Sequence, residues 1–471
     1  MSASAERDGV PPHERRWAIG VIAAGTTMAV LDSSIANVAL PTISRELNAA
    51  PALTIWVVNG FQIAVAVTLL SFASLGDAMG YRRVYTAGII VFTLGSLCCA
   101  VSHTLGALVA SRVFQGFGAS AIMSVGPALY RTIFPASQLG RGLGISALVV
   151  AASASAGPTI GGAILAVLPW PWLFAINVPI GIADAVFAAR ALPRQHYRRG
   201  HVDIPSAVLS VPAIGLFVVG LDGFAHRATV LESGLIFGGA IVFAIAFIVR
   251  QRSALVAMLP LDMFSNGRFS LAALTSLCSF LAQGLAFVSL PFLFQGPLGY
   301  SAFASGLLIT PWPLCIAVLA PIAGRLADRY SAPLLCTVGL ATLSLGLVTL
   351  ALLPAHVTTA DIIWRGMVCG IGFGFFQSPN NRELLGSVPR QRSGTASGVL
   401  ATVRVTGQTF GAALVAIALA GTGASLVSTH VHGDVRGAVA LTLWAAAGAA
   451  ALAALISSLR VRRTYPAFSS P

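Results

Sequence analysis

Lysine is absent from this 471-residue chain, and charge of any kind is scarce: 9% of residues are charged, against about a quarter in an ordinary soluble domain. That scarcity, beside 56% hydrophobic residues, excludes a water-facing surface over most of the chain. Catalytic signatures are missing as well. There is no H-E-x-x-H and no G-x-S-x-G, and the eight histidines are scattered, with His430 and His432 the one close pair. An intramembrane enzyme would have no constellation to work with. The six cysteines, Cys98, Cys99, Cys278, Cys315, Cys336 and Cys369, all fall inside apolar stretches, which excludes a loop framework of disulfides. No segment between the apolar stretches is long enough for a soluble output domain, so a sensor or receptor is not expected.

What is present is a succession of long apolar runs. A hydrocarbon core of about 30 Å takes roughly 20 residues of helix. Fourteen such spans can be laid out: 17–40, 54–74, 84–102, 105–128, 142–165, 172–191, 204–221, 233–250, 269–292, 301–323, 333–353, 361–380, 394–418 and 437–459. The chain reads as an all-α polytopic membrane protein with both termini on one side. The first span is too long and too polar for a signal peptide, and no small-residue cleavage site follows it.

The net charge of +13 would suggest nucleic acid if it were spread over a surface. It is not. Of the 28 arginines, 22 fall in tails or loops on the side of the termini, and only Arg45, Arg227 and Arg436 fall in loops on the other. The positive-inside rule then puts both termini in the cytoplasm and removes nucleic acid as a partner. Arginine to the exclusion of lysine is the habit of a GC-rich genome. The expected location is a bacterial inner membrane.

The two halves of the chain echo each other. "ALP" at 39–41 returns as "SLP" at 289–291, "SLGDAMGYR" with Asp77 as "RLADRYSAP" with Asp328, and "AGPTIGGAI" at 156–164 as "TGQTFGAAL" at 406–414. Each half holds six spans, and the spans at 204–221 and 233–250 lie between them. The expected organisation is a tail (1–16), a six-helix bundle (17–192), two additional helices (193–252), a second six-helix bundle (253–460) and a tail (461–471). Parallel repeats of this kind are built around a binding site at the midplane.

Intramembrane polar groups are few enough to take one by one. At 1.5 Å per residue, Asp32 in the first span and Arg112 in the fourth lie at matching depth, and a buried carboxylate needs a partner or a cavity. Burial raises and a neighbouring arginine lowers a carboxyl's proton affinity. A cavity opening alternately to two compartments would let Asp32 load a proton on one side and release it on the other. The competing reading is a structural ion pair. Asp184 in the sixth span is either a second proton site or a snorkelling acid. Asn37, Trp56, Asn59, Gln62, Gln115, Gln283, Gln377, Asn380, Arg404 and Gln408 are candidates to line a mostly apolar cavity. Asp77, Arg82 and Arg83 in one loop, with Gly324, Asp328 and Arg329 in its echo, form a candidate conformational latch. Gly157, Pro158, Gly161 and Gly162 form a kinked, small-sided stretch suited to close helix packing.

These motifs resemble the fourteen-helix drug:proton antiporter branch of the major facilitator superfamily. "LDSSIANVALP" (31–41) is similar to its first-helix motif, "RVFQGFGA" (112–119) to its fourth-helix arginine motif, "GPTIGG" to its antiporter motif and "WPWLFAINVPIG" (170–181) to its sixth-helix pattern. Pro171 stands where that last pattern has arginine, and Ala73 and Ala78 depart from the loop motif, which shifts weight in the latch toward Asp328 and Arg329. The resemblance implies a major facilitator fold, two six-helix bundles plus two inserted helices. It implies proton-coupled efflux of hydrophobic or amphiphilic compounds by alternating access, with Asp32 and Arg112 in coupling roles and Gly157 to Gly162 as a hinge. An importer, or an exporter dedicated to one metabolite, is the competing reading. No cofactor is expected beyond the proton gradient. The partners expected are a small-molecule substrate, protons and lipid, and a monomer is expected; a periplasmic adaptor and an outer-membrane channel are partners that the sequence leaves open.

Overall fold

The computed structural model describes residues 10–135, 138–193, isolated positions between 209 and 220, and residues 230–253, 261–327, 329–354, 356–388, 393–421 and 434–462. Every regular element among them is helical. The first half contains α1 (Pro12–Glu46), a short α2 (Pro51–Thr54), α3 (Trp56–Met79), α4 (Tyr81–Ala100), α5 (Leu105–Ile133), α6 (Leu139–Val167), a short α7 (Trp172–Ala175) and α8 (Asn177–Ala191). Then follow α9 (Val230–Ser253), α10 (Gly267–Gln295), α11 (Ala302–Ile309), α12 (Pro311–Leu326), α13 (Ala332–Ala351), α14 (Thr359–Gly386), α15 (Ser393–Gly421) and α16 (Val435–Arg462).

Local chemistry sets the ends. Thr104, Ser301, Ser331 and Thr358 each turn a side-chain oxygen onto a backbone N–H of the following first turn, which supplies the acceptor that a helix start lacks. Between α3 and α4 the chain reverses at Gly80, whose φ of +93° is open to glycine and costly to other residues. Pro12, Pro51 and Pro311 open helices, where a missing N–H costs nothing.

Proline inside a helix is the surprise. Pro41 was expected to close the first span, yet α1 runs on to Glu46. Proline's fixed φ is helical and removes only one hydrogen bond, and in hydrocarbon the chain has no better way to satisfy the remaining backbone groups than to stay helical. Pro127, Pro158, Pro291 and Pro379 are likewise internal. At Pro158 the carbonyl left without its helical donor is that of Ala154, and Ser34 Oγ of α1 donates to it at 3.3 Å.

Within the first half α4 packs on α5 and α8, α3 on α5, and α1 on α6; within the second, α13 packs on α14 and α16, α10 on α15 and α16, and α12 on α14. The internal echo is visible as geometry. A β-carbon on Gly118 would stand 2.6 Å from the Gly88 carbonyl, and one on Gly372 would stand 2.6 Å from the Gly339 carbonyl. The same close crossing of two helices thus occurs once per half. The halves meet along three seams, α1 on α10, α6 on α11 and α12, and α3 on α15.

Twelve helical stretches among the described residues are long and apolar enough to cross a membrane. Helix α14, with 28 residues, is also long enough but carries Asn380, Asn381, Arg382 and Glu383 near its end. The expected span at 204–221 lies outside the described residues except for isolated positions. In α9, Leu235, Val242 and Val249 are exposed, as side chains facing lipid are. Helix α1 begins and α16 ends at one face of the molecule, here the terminal face; the opposite face is distal.

Candidate functional site

The first-helix acid and the fourth-helix arginine meet. Arg112 Nη1 and Asp32 Oδ2 form an ion pair, with the two residues 0% and 1% exposed. Gln115 Nε2 donates to Asp32 Oδ1 at 3.0 Å and Asn177 Nδ2 to the same oxygen at 2.9 Å. Arg112 Nε donates to the Val57 carbonyl at 3.0 Å, and Gln115 Nε2 also reaches Ser96 Oγ at 2.8 Å. The guanidinium carbon lies 4.2 Å from the ring centroid of Phe61 and 5.3 Å from that of Phe174, and Trp170 stands edge-on to Phe174. The sixth-helix pattern therefore has a physical role. Its Phe174 walls the arginine, its Trp170 packs edge-on behind Phe174, and its Asn177 holds the aspartate.

This cluster sits inside the first bundle, not in a cavity. Asp32, read beforehand as cavity-facing, is turned away from the central space. Gln115, counted as a cavity residue, belongs to the ion pair for the same reason: it is one turn from Arg112 on the same face of α5. Asp184 is also buried within the first bundle, beside Tyr85 of α4 and Gly25 of α1. Its Oδ2 has no hydrogen-bond partner among the described residues. Tyr85 Oη donates to the Val21 carbonyl at 2.8 Å.

Between the two halves lies a cavity of about 640 Å³, a size suited to one small organic molecule. Asn37, Gln62, Gln283, Gln377, Arg404 and Gln408 line it, together with Phe61, Phe280, Phe287 and Phe373. Sequence reasoning missed Ser33, Ser34, Ser378 and Asn381, which also line it. Trp56 and Asn59 do not. Trp56 is half-buried at the distal start of α3, and Asn59 is buried with its side-chain oxygen unpaired among the described residues.

Asn380 is a further correction. Its Nδ2 donates to Ser276 Oγ at 2.7 Å and to the Ala272 carbonyl at 3.1 Å, while its Oδ1 accepts from Arg460 Nη1 at 2.9 Å. Arg460 also pairs with Glu383 at 2.9 Å. Arg460, which follows the expected span 437–459 and would be a loop residue on that layout, lies within α16, is 5% exposed and binds α16 to α14. Asn381, one residue on and about 100° around the helix, faces the cavity instead. Replacing Arg460 with Gln is expected to lower stability by on the order of 3 kcal/mol, because the Glu383 charge loses its partner. Adding Glu383→Gln should restore part of that loss, read as melting temperature in detergent.

The cavity is closed at its distal end and extends toward the terminal face. Its lining runs from Val38, Pro158 and Ile309 to Gly144, Pro321 and Asn381. Distally, Thr159 and Thr310 hydroxyls lie 2.6 Å apart, Gln295 Nε2 donates to the Val38 carbonyl at 2.8 Å, and Thr42 Oγ1 donates to Gln295 Oε1 at 3.3 Å. Gln295 was not singled out in the sequence, although it stands four residues past Pro291 as Arg45 does past Pro41. Of the candidate hinge residues, Gly157 and Gly161 pack on α1 inside the first bundle, and Pro158 and Gly162 lie on this closed seam. β-Carbons on Gly157, Gly161 and Gly162 would meet Ser34 at 2.5 Å, Ile35 at 3.1 Å and Phe303 at 2.8 Å, and one on Gly306 would collide with the Pro158 carbonyl.

At the terminal face Tyr81 Oη donates to Asp77 Oδ1, and Arg82 donates to the Ala189 carbonyl at the end of α8. Arg83 has interactions of its own. Gly324 lies against Ser378, Arg329 is exposed, and Asp328 lies outside the described residues. The first loop of the candidate latch is thus tied to its own turn and to α8.

The Major Facilitator Superfamily profile matches residues 22–412. The uncharacterized transporter YebQ of Escherichia coli K12 is 49% identical over 460 residues, covering 97% of this chain and 98% of the relative. The riboflavin transporter RibZ of Clostridioides difficile is 32% identical over 83% of this chain and 85% of its own length. The multidrug resistance protein Stp of Mycobacterium tuberculosis is 30% identical, with coverages of 87% and 76%. Among solved structures, a bacterial homolog of the human lysosomal transporter Spinster, in an inward-facing, unoccupied conformation, superposes with a TM-score of 0.70. It is 15% identical and covers 98% of this chain and 100% of its own.

Proposed function

The chain belongs to the major facilitator superfamily and is a multi-pass membrane transporter, and from that premise we propose that it exports small amphiphilic compounds in exchange for protons. The observation that carries the reading is the separation of two sites. A mostly apolar cavity with a few amide hooks suits a small organic substrate, while a buried Asp32–Arg112 pair lies one helix face away from it. Ser33 and Ser34 line the cavity and Asp32 precedes them in the same turn of α1. A rotation or tilt of α1 during bundle rocking would therefore exchange occupancy of the cavity for exposure of the carboxylate. Relatives named for multidrug resistance support export.

In this reading the terminal face is cytoplasmic, as the arginine distribution suggests, and the structure is an inward-facing state with its outer seam shut. Fourteen helices, two of them between the bundles, is the count that keeps the arginines on one side. Asp184, beside Tyr85, is the second candidate proton carrier. The proton gradient is the sole energy source. A transporter dedicated to one metabolite is the second reading, favoured by the riboflavin-named relative.

The test is uptake into inverted membrane vesicles with an imposed acidic lumen and a panel of cationic, neutral and anionic fluorescent aromatics. Accumulation that collapses with an uncoupler is the expected result. Accumulation indifferent to the gradient for every compound transported would overturn proton coupling.

A further inference from the structure

We propose that the cavity is built for amphiphilic monoanions, aromatic carboxylates above all, with the anionic group received by Arg404. The proposal rests on the reading of this cavity as the substrate site and adds the charge of the substrate to it.

The arginines Arg112, Arg365 and Arg404 lie inside the membrane spans laid out from the sequence, and they are not alike. Arg112 is paired with Asp32, and Arg365 with Asp361 at 2.9 Å. Arg404 lines the cavity and has neither a carboxylate nor a hydrogen-bond acceptor among the described residues. Its one recorded contact of this kind is with the Phe280 ring, 5.6 Å from the guanidinium carbon. No aspartate or glutamate lines the cavity among the described residues, and Arg404 is the one charged side chain that does. The acid on which recognition of a cation would depend, Asp32, is buried on the other side of α1 and already holds three donors.

A cation within a low-dielectric cavity is costly without a counter-charge, and here the substrate is the group left to supply it. The surroundings fit a carboxylate. Guanidinium presents a planar fork that matches two carboxylate oxygens. Gln408, one turn along α15 from Arg404 and therefore on the same face, donates to Gln283 Oε1 at 3.1 Å. This leaves the Gln283 amide N–H groups free to add a donor. Phe280, Phe287 and Phe373 in the lining supply apolar, aromatic surface to the body of such a ligand. An ammonium at the same place would meet Arg404 without any acid to offset the repulsion.

The test uses the purified full chain in detergent and isothermal titration with three ligands of one shape: 2-naphthoate, 2-naphthamide and 2-naphthylmethylammonium. Naphthoate is expected to bind tightest. Arg404→Gln should weaken naphthoate about tenfold or more, as loss of a charge-assisted pair does, and move naphthamide by less than about twofold. Arg404→Lys should keep the preference for the anion. Ammonium binding at least as tight as naphthoate, no naphthoate binding at millimolar concentration, or an unchanged naphthoate affinity in a folded Arg404→Gln protein would each overturn the proposal. If Arg404→Gln fails to fold, the ranking of the three ligands on the unmodified chain decides. Binding needs neither turnover nor a gradient, so failure of proton coupling and failure of anion recognition are separable.

Discussion

Asp32→Asn is expected to abolish gradient-driven accumulation while leaving exchange of substrate across a membrane at equal pH. The amide accepts a hydrogen bond from Gln115 or Asn177 as the acid does, yet it carries no proton between compartments and leaves Arg112 without its counter-charge. An uncompensated buried guanidinium costs on the order of 3 kcal/mol, so part of any loss would reflect stability. Equal-pH exchange separates the two effects. A variant that accumulates nothing but still exchanges has lost coupling, and one that does neither has lost its structure. The walls around Arg112 reduce the structural damage, since Phe61 and Phe174 still cover the guanidinium and Val57 still accepts from Nε. Full gradient-driven transport by Asp32→Asn would remove Asp32 from the coupling mechanism.

Gly306→Val is expected to hold the distal seam open. Helix α11 meets the kinked part of α6 with no room for a β-carbon between Gly306 and the Pro158 carbonyl, and the obstacle is backbone, which cannot rotate aside. Overpacking at such a contact costs about 1–3 kcal/mol, and each 1.4 kcal/mol moves a two-state population about tenfold. A reporter cysteine at Thr310, whose hydroxyl lies 2.6 Å from that of Thr159, should react several-fold faster with a membrane-impermeant maleimide applied from the distal side. The background for this measurement lacks the six native cysteines. Transport should fall in step. Unchanged labelling would mean that the seam does not open there.

The sequence made some of this legible through rise and some illegible through rotation. Helical rise of 1.5 Å per residue placed Asp32 and Arg112 at one depth, and the ion pair is found there. The same arithmetic does not say which way a side chain points. Asp32 was therefore read into the cavity when it faces the bundle, and Asn380 was chosen where Asn381, about 100° further round, is the lining residue. Gln115 was misplaced in the same way, though its spacing of three from Arg112 was available. Arg460, just past the expected span 437–459, is drawn into the bundle by Glu383 and Asn380, partners on another helix that spacing along the chain does not show. The span 17–40 fell short of the helix because Pro41, a helix stop in water, sits in a segment whose backbone has no water to turn to. The internal echo read most truly. The Pro41 and Pro291 regions, matched by sequence alone, face each other at the distal seam through Val38, Thr42 and Gln295.

Exchange of substrate for protons is the central claim, and one measurement tests it with no imposed proton gradient at all. Liposomes containing the purified chain are loaded with a transported compound and a pH-reporting dye, diluted into compound-free buffer of the same pH, and clamped at zero potential with valinomycin and potassium. Departure of the compound should acidify the lumen, as protons move against it, and Asp32→Asn should leave the lumen unchanged. A lumen that stays constant in the unmodified protein, or turns alkaline as the compound leaves, would contradict antiport.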